Sequence, residues 1–313
     1  MMAWSIDVLP DQTGRTAVVT GANSGLGYHT ANALAAKGAR VIMACRDTAK
    51  AEIAAAAIRA NFPEAQVEVR PLDLADLASV SAFAESLAAD LGALDLLVNN
   101  AGVMALPLTR TRDGFEMQVG TNHLGHFALT GRLLPLLEAA PAPRVVTVAS
   151  LAHKAGSLDF EDLNWHKRRY DKWRAYGQAK LANLSFALEL DRRLRAAGCR
   201  TVSIAAHPGF AATNLLMVGP RMENSTLGKI AMVAGGGLFA QSAVQGAIPI
   251  LHAATAPDLA PGSYWGPNGA FELWGKAAAP AKSTGAARSE KKGAALWSLS
   301  ETLTGVAYLS SAG

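Results

Sequence analysis

The chain has 313 residues, of which 50% are hydrophobic and 17% charged, and its formal net charge is +4. This much apolar material fills one large core and excludes a disordered regulatory protein. Two cysteines are too few for a disulfide framework, so we expect a reducing, cytoplasmic setting. No apolar stretch is long enough for an integral membrane segment, and the basic residues follow no nucleic-acid-binding motif. The positive charge therefore favours a phosphate-rich cofactor over nucleic acid.

Short β-branched runs alternate with Ala- and Leu-rich helical stretches over the first two hundred residues. The predicted strands are Thr16–Thr20, Arg40–Ala44, Gln66–Pro71, Leu94–Asn99, Arg144–Ala149 and Thr201–Ala206. The predicted helices are Gly25–Lys37, Thr48–Asn61, Leu77–Leu91, Gly114–Leu137 and Ala175–Ala197. Several strands are apolar on both faces, as in a buried parallel sheet. The pattern predicts an α/β protein with a single Rossmann-type domain, whose doubly wound parallel sheet carries helices on both faces.

We assign the whole chain, 1–313, to this domain, with its cofactor-binding and catalytic core at 14–209. The pattern loosens after Gly209, and residues 210–240, rich in Gly and Met, are predicted to form a flap over the substrate. The remaining predicted elements are a helix at Gln241–Thr255, a last strand at Gly262–Trp265, an exposed loop at 276–293, and a C-terminal helix and tail at 294–313.

A glycine-rich turn follows the first predicted strand. Three glycines between a strand and a helix let the backbone turn tightly and approach a pyrophosphate at the helix N-terminus. Such turns alone are weak evidence, but the flanking strand and helix are the context that the motif requires. We therefore predict a dinucleotide-binding turn made by Gly21, Asn23, Ser24, Gly25, Leu26 and Gly27. A purely structural turn is the alternative.

The end of the second predicted strand bears on the choice between NADP and NAD. Cys45 stands where an acidic residue would bind the ribose hydroxyls of NAD, and Arg46 follows it. A guanidinium at this place suits the 2′-phosphate of NADP, through paired charge-assisted hydrogen bonds. We therefore predict NADP as the cofactor. NAD is the alternative, with Asp47 on the ribose and Arg46 as a solvated loop charge.

Seven short motifs occur in an order that resembles the short-chain dehydrogenase/reductase family. The resemblance covers most of the chain, from about Gly14 to the Pro208-Gly209 region. The motifs are Thr20-Gly21…Gly25…Gly27, Asp73, Asn99-Asn100-Ala101-Gly102, Asn122, Ser150, Tyr176…Lys180, and Pro208-Gly209 with Thr213. The resemblance implies an oxidoreductase that binds a nicotinamide dinucleotide and transfers a hydride.

Tyr176 and Lys180 are the central pair of the predicted site. They lie four positions apart on a predicted helix, so both side chains emerge on one face. Alone, this spacing would suit a helix-surface pair, but the other motifs favour a site. An unperturbed phenol has a pKa near ~10, and we expect the lysine ammonium to lower the pKa of Tyr176. The resemblance implies that Tyr176 exchanges a proton with the substrate oxygen and that Lys180 also holds the nicotinamide ribose.

Ser150 and Asn122 complete the predicted catalytic set. The resemblance implies that Ser150, at the end of the fifth predicted strand, hydrogen-bonds the substrate oxygen as charge develops. The alternative for Ser150 is a capping hydroxyl that never meets the substrate. The resemblance also implies that Asn122 holds a water of the proton relay, and a satisfied buried amide is the alternative.

The remaining cofactor contacts are likewise implied by the resemblance. Asp73 and Leu74 would meet the adenine, although Asp73 could instead cap the helix predicted from Leu77. The positions implied around the nicotinamide are the stretch Asn99 to Gly102, which includes Asn100 and Ala101, with Pro208, Gly209 and Thr213. The histidines do not have metal-ligand spacing, so we predict no metal.

One departure from the family pattern concerns the gap between Ser150 and Tyr176. They are 26 positions apart, about twice the usual family gap. The extra segment, Leu158–Trp173, carries Trp165, Tyr170 and Trp173. Together with Ser150-Leu151-Ala152-His153 and Ala175-Tyr176…Leu181-Ala182-Asn183, it resembles the retinol-dehydrogenase-like branch, which includes protochlorophyllide reductases. That branch acts on large apolar carbonyls or alcohols. The aromatic insert could equally be a packing or oligomer surface.

The sequence therefore predicts an NADP(H)-dependent oxidoreductase, a carbonyl reductase or alcohol dehydrogenase acting on an apolar small molecule. A C=C reductase of the protochlorophyllide type is an alternative with the same Tyr–Lys pair. A non-catalytic NADP-binding redox sensor is a third reading, although such proteins usually lose the tyrosine or the lysine. A homo-oligomer is left open.

Overall fold

The structure, a computed structural model, describes residues 8–211 and 241–309. Within these residues the chain forms one sheet, and its strands are β1 Thr16–Thr20, β2 Arg40–Cys45, β3 Val67–Pro71, β4 Leu96–Asn99, β5 Arg144–Val148, β6 Val202–Ala206, β7 Tyr264–Pro267 and β8 Ala278–Pro280. The predicted flap lies outside the described residues from position 212 to 240, and Thr213 lies outside with it.

Helices connect the strands and cover the sheet. They are α1 Gly25–Ala36, α2 Thr48–Asn61, α3 Leu77–Asp90, α4 Met117–Val119, α5 Gly125–Ala139, α6 Lys172–Ala196, α7 Ala243–Thr255, α8 Gly285–Arg288 and α9 Glu290–Thr304. A π-helical turn, Gly120–Leu124, joins α4 to α5, and short 3₁₀ turns occupy Leu151–Ala155 and Ala270–Glu272. The predicted α/β class is confirmed.

The order of the strands determines where a crevice opens at the edge of the sheet. They are arranged β3-β2-β1-β4-β5-β6-β7-β8, parallel except where β8 pairs antiparallel with β7. Thr16 of β1 pairs with Arg40 of β2 on one side, and Ala17 of β1 pairs with Leu96 of β4 on the other. The chain therefore leaves β1 and β4 in opposite directions, and such a switch point opens a crevice at the carboxyl ends of the strands.

Two apolar layers bury the two faces of the sheet. Leu34 of α1 and Ile250 of α7 pack on one face. Phe127 of α5, Phe186 of α6 and Trp297 of α9 pack on the other. The Phe127 and Trp297 rings meet edge to face with centroids 5.0 Å apart, a geometry worth about 0.5–1.5 kcal/mol beyond area burial. The C-terminal helix α9 is therefore part of the second apolar layer.

Several predicted boundaries are corrected by capping. The helix predicted at Gly114–Leu137 begins at Met117, because the Glu116 carboxylate accepts hydrogen bonds from the Gln118 and Val119 amides. The helix predicted from Ala175 begins three residues earlier, since Asp171 caps the amides of Trp173 and Arg174. Each capping side chain satisfies helix amides that otherwise lack a partner.

The prediction of an exposed loop at 276–293 was wrong. This stretch contains β8, α8 and the first turn of α9. Ala279 pairs with Gly266 at the edge of β7, and Ser289 caps α9, which therefore begins at Glu290 rather than at 294. This segment has few large apolar residues. It is held by the pairing of β8 with β7 and by helix caps, and its composition reveals neither. The strand predicted at Gly262–Trp265 as the last one is β7, Tyr264–Pro267, and β8 follows it.

Candidate active site

A cleft of about 1260 Å³ opens at the carboxyl edge of the sheet. It brings together most of the residues predicted for the site. These are Gly21, Asn23, Ser24, Gly25, Leu26, Gly27, Arg46, Asp73, Leu74, Ala101, Gly102, Ser150, Tyr176, Lys180, Pro208 and Gly209. Asn99 and Asn122 do not line the cleft but lie buried behind it.

The glycine-rich turn is shaped so that a dinucleotide phosphate fits it. Gly21 and Gly25 have φ angles of 66° and 55°, the left-handed region in which side chains are strained. A Cβ on Gly27 would lie 2.4 Å from the carbonyl oxygen of Gly21, so glycine alone permits this close packing of turn and helix. Ser24 precedes α1, and its side chain makes no capping hydrogen bond to the helix. The first amides of α1 are therefore available to an anion.

Asp47 and Arg46 have different environments at the end of β2. The Asp47 carboxylate accepts a hydrogen bond from the Lys50 amide at 3.1 Å and pairs with the Lys50 ammonium at 2.7 Å. These bonds to Lys50 lower the pKa of Asp47 and use its carboxylate as the cap of α2. Arg46, Asp47 and Lys50 all line the cleft, but only the Arg46 side chain is exposed there without an ion pair to a neighbouring carboxylate among the contacts of the described residues. The guanidinium is therefore better placed than the carboxylate to receive a group bound in the cleft.

The chain after β4 turns its second asparagine, not its first, toward the cleft. Asn99 is fully buried and donates from its amide to the Thr130 hydroxyl at 3.0 Å, so the expectation that it lines the nicotinamide side is corrected. Asn100 lines the cleft, and its amide donates to the carbonyl oxygen of Thr20 at 2.8 Å. The reason is that Asn99 is still a strand residue whose side chain points into the packed layer.

Asp73 lines the cleft rather than capping α3. Its carboxylate accepts a hydrogen bond from the Ala75 amide at 3.0 Å. The capping role belongs to Asp76, which accepts hydrogen bonds from the Ala78 and Ser79 amides. Asp73 therefore remains available at the predicted adenine side.

Ser150, Tyr176 and Lys180 converge from two elements. Ser150 follows β5, and its hydroxyl accepts a hydrogen bond from the Ala152 amide at 3.2 Å while also bonding to Tyr176. Tyr176 and Lys180 lie one turn apart on α6, with the lysine nitrogen 6.0 Å from the centre of the tyrosine ring. The Lys180 ammonium donates to the carbonyl oxygen of Val148 at 3.0 Å. Ser150 is thus both a cap and a cleft residue.

Burial controls the electrostatics of this group. It raises the pKa of Tyr176 to about 12, against a smaller lowering by the hydrogen bond from Ser150. It lowers the pKa of Lys180 to about 8. The expectation that the Lys180 ammonium would lower the pKa of Tyr176 was therefore wrong, because loss of solvation on burial outweighs the other effects. Tyr176 is protonated at neutral pH.

Asn122 lies in the π-helical turn and holds the chain that follows Gly102. Its side-chain oxygen accepts from the Val103 amide at 2.7 Å, and its side-chain nitrogen donates to the Val103 carbonyl at 2.9 Å. Val103 lines the cleft. Asn122 is therefore a satisfied buried amide in this structure, and π-helical turns are frequent at functional sites.

The aromatic insert divides between packing and cleft. Trp165 is buried, with the Arg168 guanidinium 3.7 Å above its ring. The Tyr170 hydroxyl lies 3.0 Å from both the Leu106 carbonyl and the Glu116 carboxylate. Trp173 is half-exposed and lines the cleft. Two of the three aromatics therefore pack the insert in place, and the third is presented to the cleft.

Sequence reasoning missed the apolar part of the lining. This part consists of Val103, Met104, Leu151, Ala155 and Leu273. Three of them follow predicted motifs directly along the chain, a signal that could have been used. Leu273 comes from a distant loop, where Phe271 and Glu272 adopt φ angles of 53° and 60°. Nothing in the local sequence indicates that this loop reaches the cleft.

Across 8–211 and 241–309, no group of three His, Cys, Asp or Glu side chains is arranged to hold a metal ion. In the same part of the chain, no helix has both the length and the apolar character needed to cross a bilayer.

Comparison with known proteins identifies the class that this fold and site define. The family model of the short chain dehydrogenases matches residues 15–224. The chain belongs to the short-chain dehydrogenase family and is an oxidoreductase.

The relatives locate it within that family, in the retinol-dehydrogenase-like branch. It is 42% identical to retinol dehydrogenase 12 of Mus musculus, over 94% of this chain and 88% of the relative. It is 39% identical to retinol dehydrogenase 14 of Homo sapiens, over 94% of this chain and 87% of the relative. The resemblance drawn from the sequence motifs is confirmed.

Solved structures share the fold. A protein from Mycobacterium paratuberculosis is 47% identical with a TM-score of 0.80, covering 97% of this chain and 98% of its own. RhlG of Pseudomonas aeruginosa, in its NADP active-site complex, is 25% identical with a TM-score of 0.62, covering 81% of this chain and 94% of its own.

Proposed function

We propose that this protein is an NADP(H)-dependent oxidoreductase that interconverts an apolar carbonyl compound and its alcohol. The observation that carries the proposal is the convergence of Ser150, Tyr176 and Lys180 in one cleft with the glycine-rich turn. The cofactor, when bound, supplies or accepts the hydride. The residues of the chain bind the two reactants, orient them and move the proton.

Tyr176 is the proton donor for carbonyl reduction. Burial raises the pKa of its hydroxyl to about 12, so it holds a proton at neutral pH. Ser150 hydrogen-bonds to Tyr176, and both line the cleft. When the Ser150 hydroxyl turns from Tyr176 to a bound carbonyl oxygen, that oxygen can accept a hydrogen bond from each. Negative charge that develops on that oxygen is stabilised by these oriented donors. Lys180, buried beside them on the same helix as Tyr176, would hold the ribose of the nicotinamide.

Arg46 supports NADP as the cofactor. Asp47 is engaged by Lys50, whereas the Arg46 side chain is exposed at the cleft. A guanidinium binds a phosphate through two parallel charge-assisted hydrogen bonds. The NADP complex of RhlG supports the same cofactor by likeness of fold.

The substrate class follows from the other end of the cleft. Met104, Trp173, Phe210 and Leu273 line it with apolar surface, and Trp173 is half-exposed there. Such a wall favours a bulky apolar substrate, since burying apolar area contributes about 25 cal/mol per Å². The retinol dehydrogenases among the relatives support a large apolar alcohol or aldehyde.

The proposal is tested with a panel of substrates and purified protein. Apolar aldehydes and ketones, small polar carbonyls and activated alkenes are each mixed with NADPH, and loss of NADPH absorbance is followed. We expect turnover of apolar carbonyls, with kcat/KM rising with chain length. Turnover of alkenes without carbonyls would replace this proposal by C=C reduction. Stoichiometric NADPH binding without any turnover would favour the redox sensor instead.

A further inference from the structure

His126 is buried between the cofactor side and the proton-transfer side of the cleft. Its side chain is 1% exposed and does not line the cleft. Its Nδ1 lies 2.9 Å from the carbonyl oxygen of Asn122, in the π-helical turn. Its Nε2 lies 2.9 Å from the hydroxyl of Thr20, the last residue of β1 before the glycine-rich turn. One imidazole therefore contacts both halves of the site.

The hydrogen-bond partners determine where the imidazole proton lies. The Asn122 carbonyl can only accept, so Nδ1 must carry the proton. The Thr20 hydroxyl oxygen already accepts from the amides of Asn100 and Ala101, each at 2.9 Å, and both of its lone pairs are used. Its own hydrogen then points to Nε2, which is nearer than the alternative acceptor, the Val98 carbonyl at 3.3 Å.

A protonated imidazolium does not fit this arrangement. A hydrogen on Nε2 would face a hydroxyl oxygen whose lone pairs are both occupied. Burial, together with the nearby positive charge of Lys180, lowers the pKa of His126 to about 4, and the hydrogen bond to the Asn122 carbonyl offsets only part of this lowering. The ring is therefore neutral at neutral pH, and each of its two nitrogens has a single role.

The segment 100–103 is held from both sides by this network. Thr20 holds the amides of Asn100 and Ala101, while the Asn122 side chain holds the amide and carbonyl of Val103. Gly102 lies between them, and a Cβ there would be 3.0 Å from the Asn122 side-chain oxygen and 3.8 Å from the Lys180 nitrogen. We call Thr20 and the Asn122 side chain the two clamps of this segment. A shift of either clamp would move the wall of the cleft next to Lys180.

We propose that His126 is a positioning residue that couples the two clamps through its neutral Nδ1–H form, holding Thr20 with one nitrogen and Asn122 with the other. It touches neither cofactor nor substrate. Its effect on the chemical step rests on the function proposed above, whereas its effect on cofactor binding and its protonation form do not.

Two conservative variants separate the two contacts. Asparagine places an amide nitrogen where Nδ1 lies, so His126→Asn keeps the bond to Asn122 and loses Thr20. Glutamine reaches the position of Nε2, so His126→Gln keeps Thr20 and loses Asn122. We expect His126→Asn to weaken NADPH binding on the order of tenfold with little change in kcat, and His126→Gln to do the reverse. Equal losses in both constants for both variants would show a space-filling residue and overturn the proposal.

Two further measurements keep the proposal falsifiable if those variants fold poorly. Thr20→Val removes the hydroxyl at nearly constant volume and should weaken NADPH binding on the order of tenfold, whereas Thr20→Ser keeps the hydroxyl and should bind within about threefold of the parent. In the unmodified protein, ¹⁵N resonances of the His126 ring should show a protonated Nδ1 and an unprotonated Nε2 at neutral pH. An Nε2–H form or an imidazolium would overturn the proposal. The Thr20 variants and the ¹⁵N measurement test the role of His126 even if the protein turns over no carbonyl. A lack of turnover would count against the proposed function alone.

Discussion

The Lys180 ammonium donates a hydrogen bond to the carbonyl oxygen of Val148 at 3.0 Å, which ties helix α6 to the carboxyl end of strand β5. That bond places the lysine beneath the cleft, where it is 4% exposed. A buried ammonium holds its proton less tightly than one in water, so its charge depends on pH within an accessible range.

The pKa of about 8 for Lys180 predicts how cofactor binding changes with pH. Below pH 8 the free protein carries the charge, and above it the charge is lost. We expect the dissociation constant of NADPH to rise by up to about tenfold between pH 7 and pH 9, because a charge-assisted bond to the ribose is weakened. Titration by NADPH fluorescence measures this. In Lys180→Met the constant should be higher and independent of pH, and an unchanged pH dependence in that variant would contradict the assignment.

Arg46 predicts the preference between the two nicotinamide cofactors. Removing its guanidinium should cost the bonds to the 2′-phosphate, so Arg46→Ala should weaken NADPH by about 10- to 100-fold and leave NADH almost unchanged. Binding of both cofactors by calorimetry gives the ratio. Arg59→Ala is the matched control, since Arg59 lies near the far end of α2, the helix that follows Arg46, and pairs with Glu52. If Arg46→Ala affects both cofactors equally, the 2′-phosphate assignment is wrong.

The close packing around Gly27 leaves no room for a methyl group at this position. A methyl group there would meet the Gly21 carbonyl oxygen at 2.4 Å and the Asn100 side-chain nitrogen at 2.6 Å. Gly27→Ala should lower the free energy of unfolding by about 1–3 kcal/mol and weaken NADPH binding. Gly92→Ala, where a Cβ meets nothing within 4 Å, should change stability by less than about 0.5 kcal/mol. Thermal unfolding compares the two, and equal Tm values would refute the packing argument.

The apolar wall formed by Leu273 and Trp173 should make KM depend on the size of the substrate. Truncating either to alanine removes apolar wall, so KM for bulky apolar carbonyls should rise by about 10- to 100-fold while small carbonyls change little. Ile53→Ala is the control, since Ile53 is large, 74% exposed and away from the cleft. A uniform loss across small and large substrates would argue against a substrate wall here.

The parts of the site that could be predicted are those encoded locally. The turn from Thr20 to Gly27 combines its phosphate-binding shape and its flanking elements in one short stretch. Ser150 and Tyr176 are far apart in sequence, yet each belongs to a recognisable motif, and parallel strands bring such motifs to one edge.

What could not be predicted depends on tertiary contacts. Whether Asn99 or Asn100 faces the cleft depends on where β4 ends, a difference of one residue. The raised pKa of Tyr176 is a consequence of burial, which the spacing to Lys180 does not contain. Leu273 reaches the cleft through a loop with two positive φ angles, and no local pattern links that loop to the site.

The account depends most on Tyr176 as the proton donor, and Tyr176→Phe tests this directly. The variant removes only the hydroxyl, so NADPH binding should stay within about threefold of the parent. On an accepted apolar carbonyl, kcat should fall by about 10²- to 10⁴-fold, the usual contribution of general acid–base catalysis. If Tyr176→Phe reduces that carbonyl at the parent rate, another group supplies the proton and the central claim is contradicted.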